Sequence, residues 1–127
     1  MSTAGLRVAI VGGCAAGKST LARALRARGI DAWPVAQEHS IIADLWRHQS
    51  PDVLVLLDAS LEVVRSRRRD ATWPRFLWEL QQLRLADARA HADILICTDT
   101  LDCVQVTENV LDQLAVQTAR AAERDTP

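Results

Sequence analysis

Nine consecutive residues, Gly12-Gly13-Cys14-Ala15-Ala16-Gly17-Lys18-Ser19-Thr20, carry the clearest chemistry in the chain. They fill every fixed position of G-x-x-x-x-G-K-[ST], a loop pattern that cradles phosphate groups. The residue types follow from that task. Glycine takes backbone conformations closed to other residues and lets the main chain approach an anion closely. Successive N–H groups can then converge at a helix N-terminus, where the aligned peptide dipoles add positive charge. Lys18 offers an ammonium to the terminal phosphates, and Ser19 offers a hydroxyl to a magnesium ion. Lys18 is also the single lysine among 15 basic residues. A compact ammonium stands where a planar guanidinium fork would not serve. Cys14 occupies a variable position and reads as small filler; a stabilised thiolate there would make nucleotide binding sensitive to oxidation.

The flanking stretches supply what such a loop needs. Residues 6–11 are an apolar run that predicts a buried strand, and residues 21–28 are rich in helix formers, with Leu21 and Leu25 one turn apart and Gly29 as a stop. A second strand is predicted over 30–37; Pro34 lacks a ladder donor, so this strand lies at an edge or starts only at Val35. Ile41, Ile42, Leu45 and Trp46 recur at helical spacing to about His48, and Ser50-Pro51-Asp52 breaks that helix. The uninterrupted apolar run 53–57, ending in Asp58, predicts a parallel strand buried on both faces. A helix over 61–69 carries Arg65, Arg67, Arg68 and Arg69, and Trp73-Pro74 interrupts it. A longer helix is predicted over 75–91 with Phe76, Leu80 and Leu83 on its packing face. Residues 94–97 form the last strand. Asp102 and Gln105 resemble a capping box for a final helix lined by Val106, Val110 and Leu114, with the tail from about 120 to 127 fraying.

Four strands thus alternate with five helices in a single domain spanning 1–127. That order predicts an α/β three-layer sandwich around a small parallel sheet with right-handed crossovers. Ligands bind such sheets at the carboxyl ends of the strands. Those ends are Gly12, Gln37-Glu38, Asp58 and Cys97-Thr98-Asp99, which sets the acidic candidates on the edge that bears the loop.

Glu38 at that edge either activates an acceptor hydroxyl or holds magnesium through water; the structural alternative is an acid favoured by a helix dipole. His39 reads as its hydrogen-bonding neighbour. Asp58 is either a metal-holding acid or, with Ser60, the cap of the following helix. Of the clustered arginines at most two reach one ligand, because four arginines in five positions cannot share a helix face; Arg67 and Arg68 are the candidates for stabilising phosphoryl charge. Arg84 and Arg89 read as surface charges, and Trp73 and Trp78 as packing residues. The candidate metal ligands are therefore Ser19, Glu38 and Asp58, and the candidate catalytic groups Lys18, Glu38, Arg67 and Arg68.

Composition narrows the classes. A hydrophobic fraction of 49% and a charged fraction of 24% are those of a globular protein. The net charge of −1 provides no global field to recruit nucleic acid, so nucleic acid is disfavoured as a partner. No apolar run approaches the roughly 18 residues of a membrane span, and no basic-then-apolar segment opens the sequence. Cys14, Cys97 and Cys103 have neither paired number nor metal-site spacing, which predicts a reducing, cytoplasmic home.

At this point the sequence resembles the P-loop kinases of the nucleoside and nucleotide kinase group. Residues 12–20 look like their G-x-x-x-x-G-K-[ST]-[ST] loop, and residues 53–69 are similar to their penultimate strand running into an arginine-bearing lid. Residues 92–101 resemble their closing strand and the loop that frames the base; Glu38-His39-Ser40 is similar to the acid-x-Ser at a strand end in deoxynucleoside kinases. The resemblance implies a P-loop NTPase fold, ATP or another nucleoside triphosphate as donor, Mg2+ as cofactor, an unidentified small-molecule acceptor and a lid that excludes water. The chain is short for that group. Between Gly29 and Asp52 there is room for one strand and one helix, so the acceptor site is abbreviated, completed by a second copy in a homodimer, or absent.

Three functions compete. The leading expectation is a minimal small-molecule kinase. A second is a polynucleotide 5′-kinase using the arginine helix on backbone phosphates. A third is a regulatory module that binds nucleotide without transferring phosphate. No N-K-x-D-like base-reading motif is present, which disfavours a GTPase switch.

Overall fold

In the first strand, β1 (Arg7–Gly12), the buried side chains alternate: Val8 and Ile10 enter one apolar cluster, Ala9 and Val11 another on the opposite face. A strand apolar on both sides requires cover on both sides. The computed structural model, which describes residues 5–125 with side chains to residue 120, supplies it. With β2 (Asp31–Pro34), β3 (Val53–Asp58) and β4 (Ile94–Cys97), β1 forms one all-parallel sheet in the order β2-β1-β3-β4. The α/β class and the four-strand parallel sheet are therefore as expected.

Helices α1 (Lys18–Arg26) and α5 (Cys103–Asp125) cover one face, where Leu21, Leu25, Val106, Val110 and Leu114 pack on Val8, Ile10 and Val55. On the other face Leu85, Ala88 and Trp46 pack on Ala9, Val11, Leu54 and Leu56; Ala88 belongs to α4 (Ala86–His91). Helices α2 (Leu61–Arg68) and α3 (Arg75–Arg84) flank a third cluster, in which Leu61, Val64 and Trp73 gather with Leu77 and Trp78 against Cys14 and Ala15 of the loop. Pairing order changes direction between β1 and β3, which opens a crevice at their carboxyl ends. The 12–20 loop leaves the sheet there.

Pro34 ends β2 at the sheet edge, where its missing N–H breaks no ladder; the strand stops three residues short of the expected 37, although the Val35 N–H still donates to Ile10 at 2.8 Å. The capping box is present, with reciprocal Asp102–Gln105 bonds of 2.8 and 2.9 Å. Backbone helix continues to Asp125, and the fraying expected over 120–127 otherwise lies outside the described residues.

Two expected helices are corrected. Residues 41–48 form no α-helix, only a 3-10 turn at Leu45–Arg47. An α-helix there would bond the Ile42 carbonyl to the Trp46 N–H. The buried Gln37 side chain takes both partners instead: its Nε2 donates to the Ile42 carbonyl at 2.7 Å, and its Oε1 accepts from the Trp46 N–H at 3.0 Å. The expected 75–91 helix breaks at Leu85 into α3 and α4. Its packing face is also not the expected one, since Phe76 and Leu83 are 67% and 74% exposed. The inward stripe is Leu77, Gln81, Leu85 and Ala88, one position round the helix, with a polar residue in it.

Candidate functional site

Two backbone requirements shape the loop. A Cβ on Gly12 would lie 2.6 Å from the Leu57 carbonyl oxygen, so the β1–β3 pairing itself demands glycine. Gly17 caps α1 at φ +95°, in the left-handed region, and Ala15 stands at φ +59° two residues earlier. Alternating left-handed residues curl the main chain so that N–H groups face one concavity. The first bond into α1 is from the Leu21 N–H to Gly17, at 3.0 Å. The N–H groups of Lys18, Ser19 and Thr20 therefore have no acceptor within the helix, and no side chain caps them. Ser19 and Thr20 are exposed beside them.

Lys18 folds back across this loop. Its ammonium donates to the carbonyls of Gly12 at 2.8 Å and Gly13 at 3.2 Å, and to Glu38 Oε2. Glu38 sits in the 3-10 turn Gln37–His39 after β2, with its side chain 4% exposed against 14% for Lys18. Its second oxygen, Oε1, is buried and has no hydrogen-bond partner. Buried polar atoms are rarely left so, because each forfeits its hydration. His39 is exposed, 3.8 Å from Glu38 Oε2. Arg84 donates to the Glu38 backbone carbonyl at 3.3 Å.

The arginine cluster divides its work. Arg65 Nε donates to the Trp73 carbonyl at 2.8 Å. Arg67 spans to the loop and the β4 end, donating to the Ala15 carbonyl at 2.9 Å and to Thr98 Oγ1 and carbonyl at 3.0 and 2.6 Å. Arg68 stacks over the Trp73 ring, 5.2 Å from its centroid. Trp73 is buried and the Trp78 indole donates to Ala59, so both are packing residues.

Asp58 follows Leu57, the β3 residue paired with Gly12, and its side chain is engaged by an arginine. Arg89 holds both its oxygens, at 3.2 and 3.3 Å, and Ser60 alone caps α2, accepting from the Val63 N–H. Arg89 and Arg84 are thus tethered groups rather than free surface charges. Among the described residues no three His, Cys, Asp or Glu side chains gather as a metal cluster. Sequence reasoning missed Gln81 altogether. Its Oε1 accepts from the Cys14 N–H at 3.0 Å, and its Nε2 donates to Cys14 Sγ at 3.1 Å, fixing the loop from α3. The available signal was a lone polar residue in an otherwise apolar stripe.

Two cavities border this loop. One, of about 370 Å³, lies between Ala15, Gly17 and Thr20 on one side and Arg67, Thr98 and Leu101 on the other. The second, of about 360 Å³, touches the loop at Cys14 and extends between His39, Arg68, Trp73, Leu77 and Arg84. Consecutive arginines thus face different cavities, Arg67 the first and Arg68 the second. No protein-family model matches the sequence, and no curated protein matches it closely enough to count as a relative. Among the described residues no helix is long and apolar enough to cross a membrane.

Proposed function

We propose that this protein is a minimal phosphotransferase of the P-loop kinase type, which binds a nucleoside triphosphate at residues 12–20 and passes its terminal phosphoryl group to a small molecule. The observation that carries this reading is the pair of cavities bordering the loop, with the Lys18–Glu38 ion pair at the same loop. The nucleoside occupies the cavity beside Thr98 and Leu101, clamped by Arg67. Its phosphates lie on the free N–H groups of the first turn of α1, and Lys18 turns from Glu38 toward them.

Magnesium fits the donor set: a hard cation that keeps several waters needs only one or two protein oxygens beside the phosphates. The exposed Ser19 hydroxyl would hold it, with Glu38 acting through water, and bound there it neutralises charge on the phosphate oxygens. Asp58, held by Arg89, has no part in this reading. In the transfer, an acceptor hydroxyl oxygen forms a bond to the terminal phosphorus while the bond to the bridging oxygen breaks and the nucleoside diphosphate leaves. The acceptor proton goes to Glu38, whose Oε1 is the unpartnered atom.

The test is turnover of ATP and magnesium against a panel of nucleosides, nucleotides, sugars and sugar acids. Product formation that Glu38→Gln abolishes, with nucleotide binding kept, supports phosphotransfer. Tight nucleotide binding without turnover of any acceptor overturns it and leaves a nucleotide-binding regulatory module.

A further inference from the structure

We infer that the second cavity binds an anion, and that the acceptor is a small molecule bearing a carboxylate or phosphate besides the hydroxyl that receives the phosphoryl group. This rests on the phosphotransfer reading for the word acceptor, but the anion site stands on its own geometry. Three cation-capable side chains, Arg68, Arg84 and His39, line the cavity, and no acidic side chain does. Among the described residues neither Arg68 nor Arg84 has a carboxylate within 4.0 Å, whereas Arg7 and Arg89 each have one. The two guanidinium groups are also held in place. Arg68 lies over the Trp73 ring, and Arg84 is tied to the Glu38 backbone carbonyl. An arginine fork fixed in this way keeps its remaining N–H donors for a planar or tetrahedral oxyanion. Trp73 and Leu77 supply an apolar wall for the body of the molecule. The tether from Arg84 to the Glu38 backbone carbonyl joins the cavity wall to the turn that carries Glu38, whose side chain does not itself line the cavity.

The two cavities separate the roles of adjacent arginines. Arg67 spends its donors on Ala15 and Thr98 at the first cavity. Arg68 and Arg84 remain for the second.

The experiment titrates matched pairs into the full chain loaded with ADP and magnesium: adenosine against adenosine 5′-monophosphate, and glucose against gluconate. Binding is read by calorimetry and transfer by ADP release after ATP is supplied. The charged member of at least one pair binds, at an affinity its neutral partner misses by about ten- to hundredfold, the range of one or two charge-assisted hydrogen bonds. Arg84→Gln and Arg68→Gln each weaken that anion selectively. Two variants are used because loss of the Arg84 tether alone disturbs the Glu38 turn. Carboxylate and phosphate members tell which anion is preferred. Equal binding of charged and neutral members, or no binding of either anion, overturns the inference. Anion binding without any phosphoryl transfer removes the kinase reading and leaves the anion site.

Discussion

Lys18 and Glu38, twenty positions apart, close on each other across the carboxyl edge of the sheet as a largely buried ion pair. The two are not equivalent. Lys18 has three acceptors, whereas Glu38 keeps one buried oxygen without a partner. Removing one member of such a pair strands the other's charge, at a typical cost of about 3–5 kcal/mol. Lys18→Ala and Glu38→Ala are therefore each expected to lower stability by that amount in urea unfolding. Lys18→Met with Glu38→Gln, which removes both charges and keeps the volume, is expected to cost about 1 kcal/mol or less, as replacement of buried pairs commonly does.

Gly12→Ala tests the close approach of β1 and β3. The added methyl meets a backbone oxygen of the neighbouring strand, which cannot rotate away, so the sheet or the loop must shift. Overpacking of this kind costs about 1–3 kcal/mol. The predicted result is a lower unfolding midpoint together with weaker nucleotide binding, whereas Gly5→Ala, strained by its φ of +87° but with no atom within 4 Å of the added methyl, leaves binding unchanged.

Gln37 shows how a fold diverges from its sequence pattern. Ile41, Ile42, Leu45 and Trp46 have helical spacing, but a buried amide five residues upstream captures the carbonyl and N–H that a helix needs. Gln37→Leu leaves the N–H of buried Trp46 unpartnered, at about 1–3 kcal/mol, whereas the Ile42 carbonyl keeps the Leu45 N–H at 3.3 Å. Loss of stability in that range, with faster hydrogen exchange at the Trp46 N–H, is the expected result. Unchanged exchange at Trp46 contradicts it.

The inward face of α3 and α4 yields a contrast. Leu85→Ala opens a cavity in a fully buried cluster and is expected to cost about 2–5 kcal/mol. Phe76→Ala and Leu83→Ala remove exposed side chains and are expected to stay within about 0.5 kcal/mol of the parent.

Asp70 offers a pH reading. The Thr72 hydroxyl and N–H donate to its carboxylate at 2.8 and 3.0 Å, and together with Arg68 and Arg65 they hold its pKa below the usual aspartate value. A depressed carboxylate stabilises the fold above its unfolded pKa, and that contribution is lost as pH falls through the folded value. The Asp70 carboxyl resonance is expected to titrate below the ordinary range, and Thr72→Val to move it up.

Much of the architecture was legible because backbone periodicity expresses it directly. The run 53–57 has no polar interruption, and the strand–glycine loop–helix order around Gly12 and Gly17 admits few conformations. The turn from Gly12 to Gly17 between strand and helix was legible for the same reason. What was not legible depends on contacts between distant side chains. The spacing shows Gln81 as a lone polar residue in an apolar stripe, but nothing in it names Cys14, sixty-seven positions away, as the partner. Asp58 was ambiguous because a strand-end acid serves equally as metal ligand or helix cap, and the Arg89 pair it makes is invisible in the spacing. The exposed stripe of α3 misled because its neighbouring stripe hides one glutamine among apolar residues.

Binding of nucleotide phosphates by residues 12–20 through Lys18 is read by calorimetric titration of ATP and magnesium. The parent protein is compared with the folded double variant Lys18→Met, Glu38→Gln. Saturable one-to-one binding to the parent is expected, with a loss of about tenfold or more in the variant, the worth of at least one charge-assisted phosphate contact. No binding to the parent, or equal binding to the two, would contradict it.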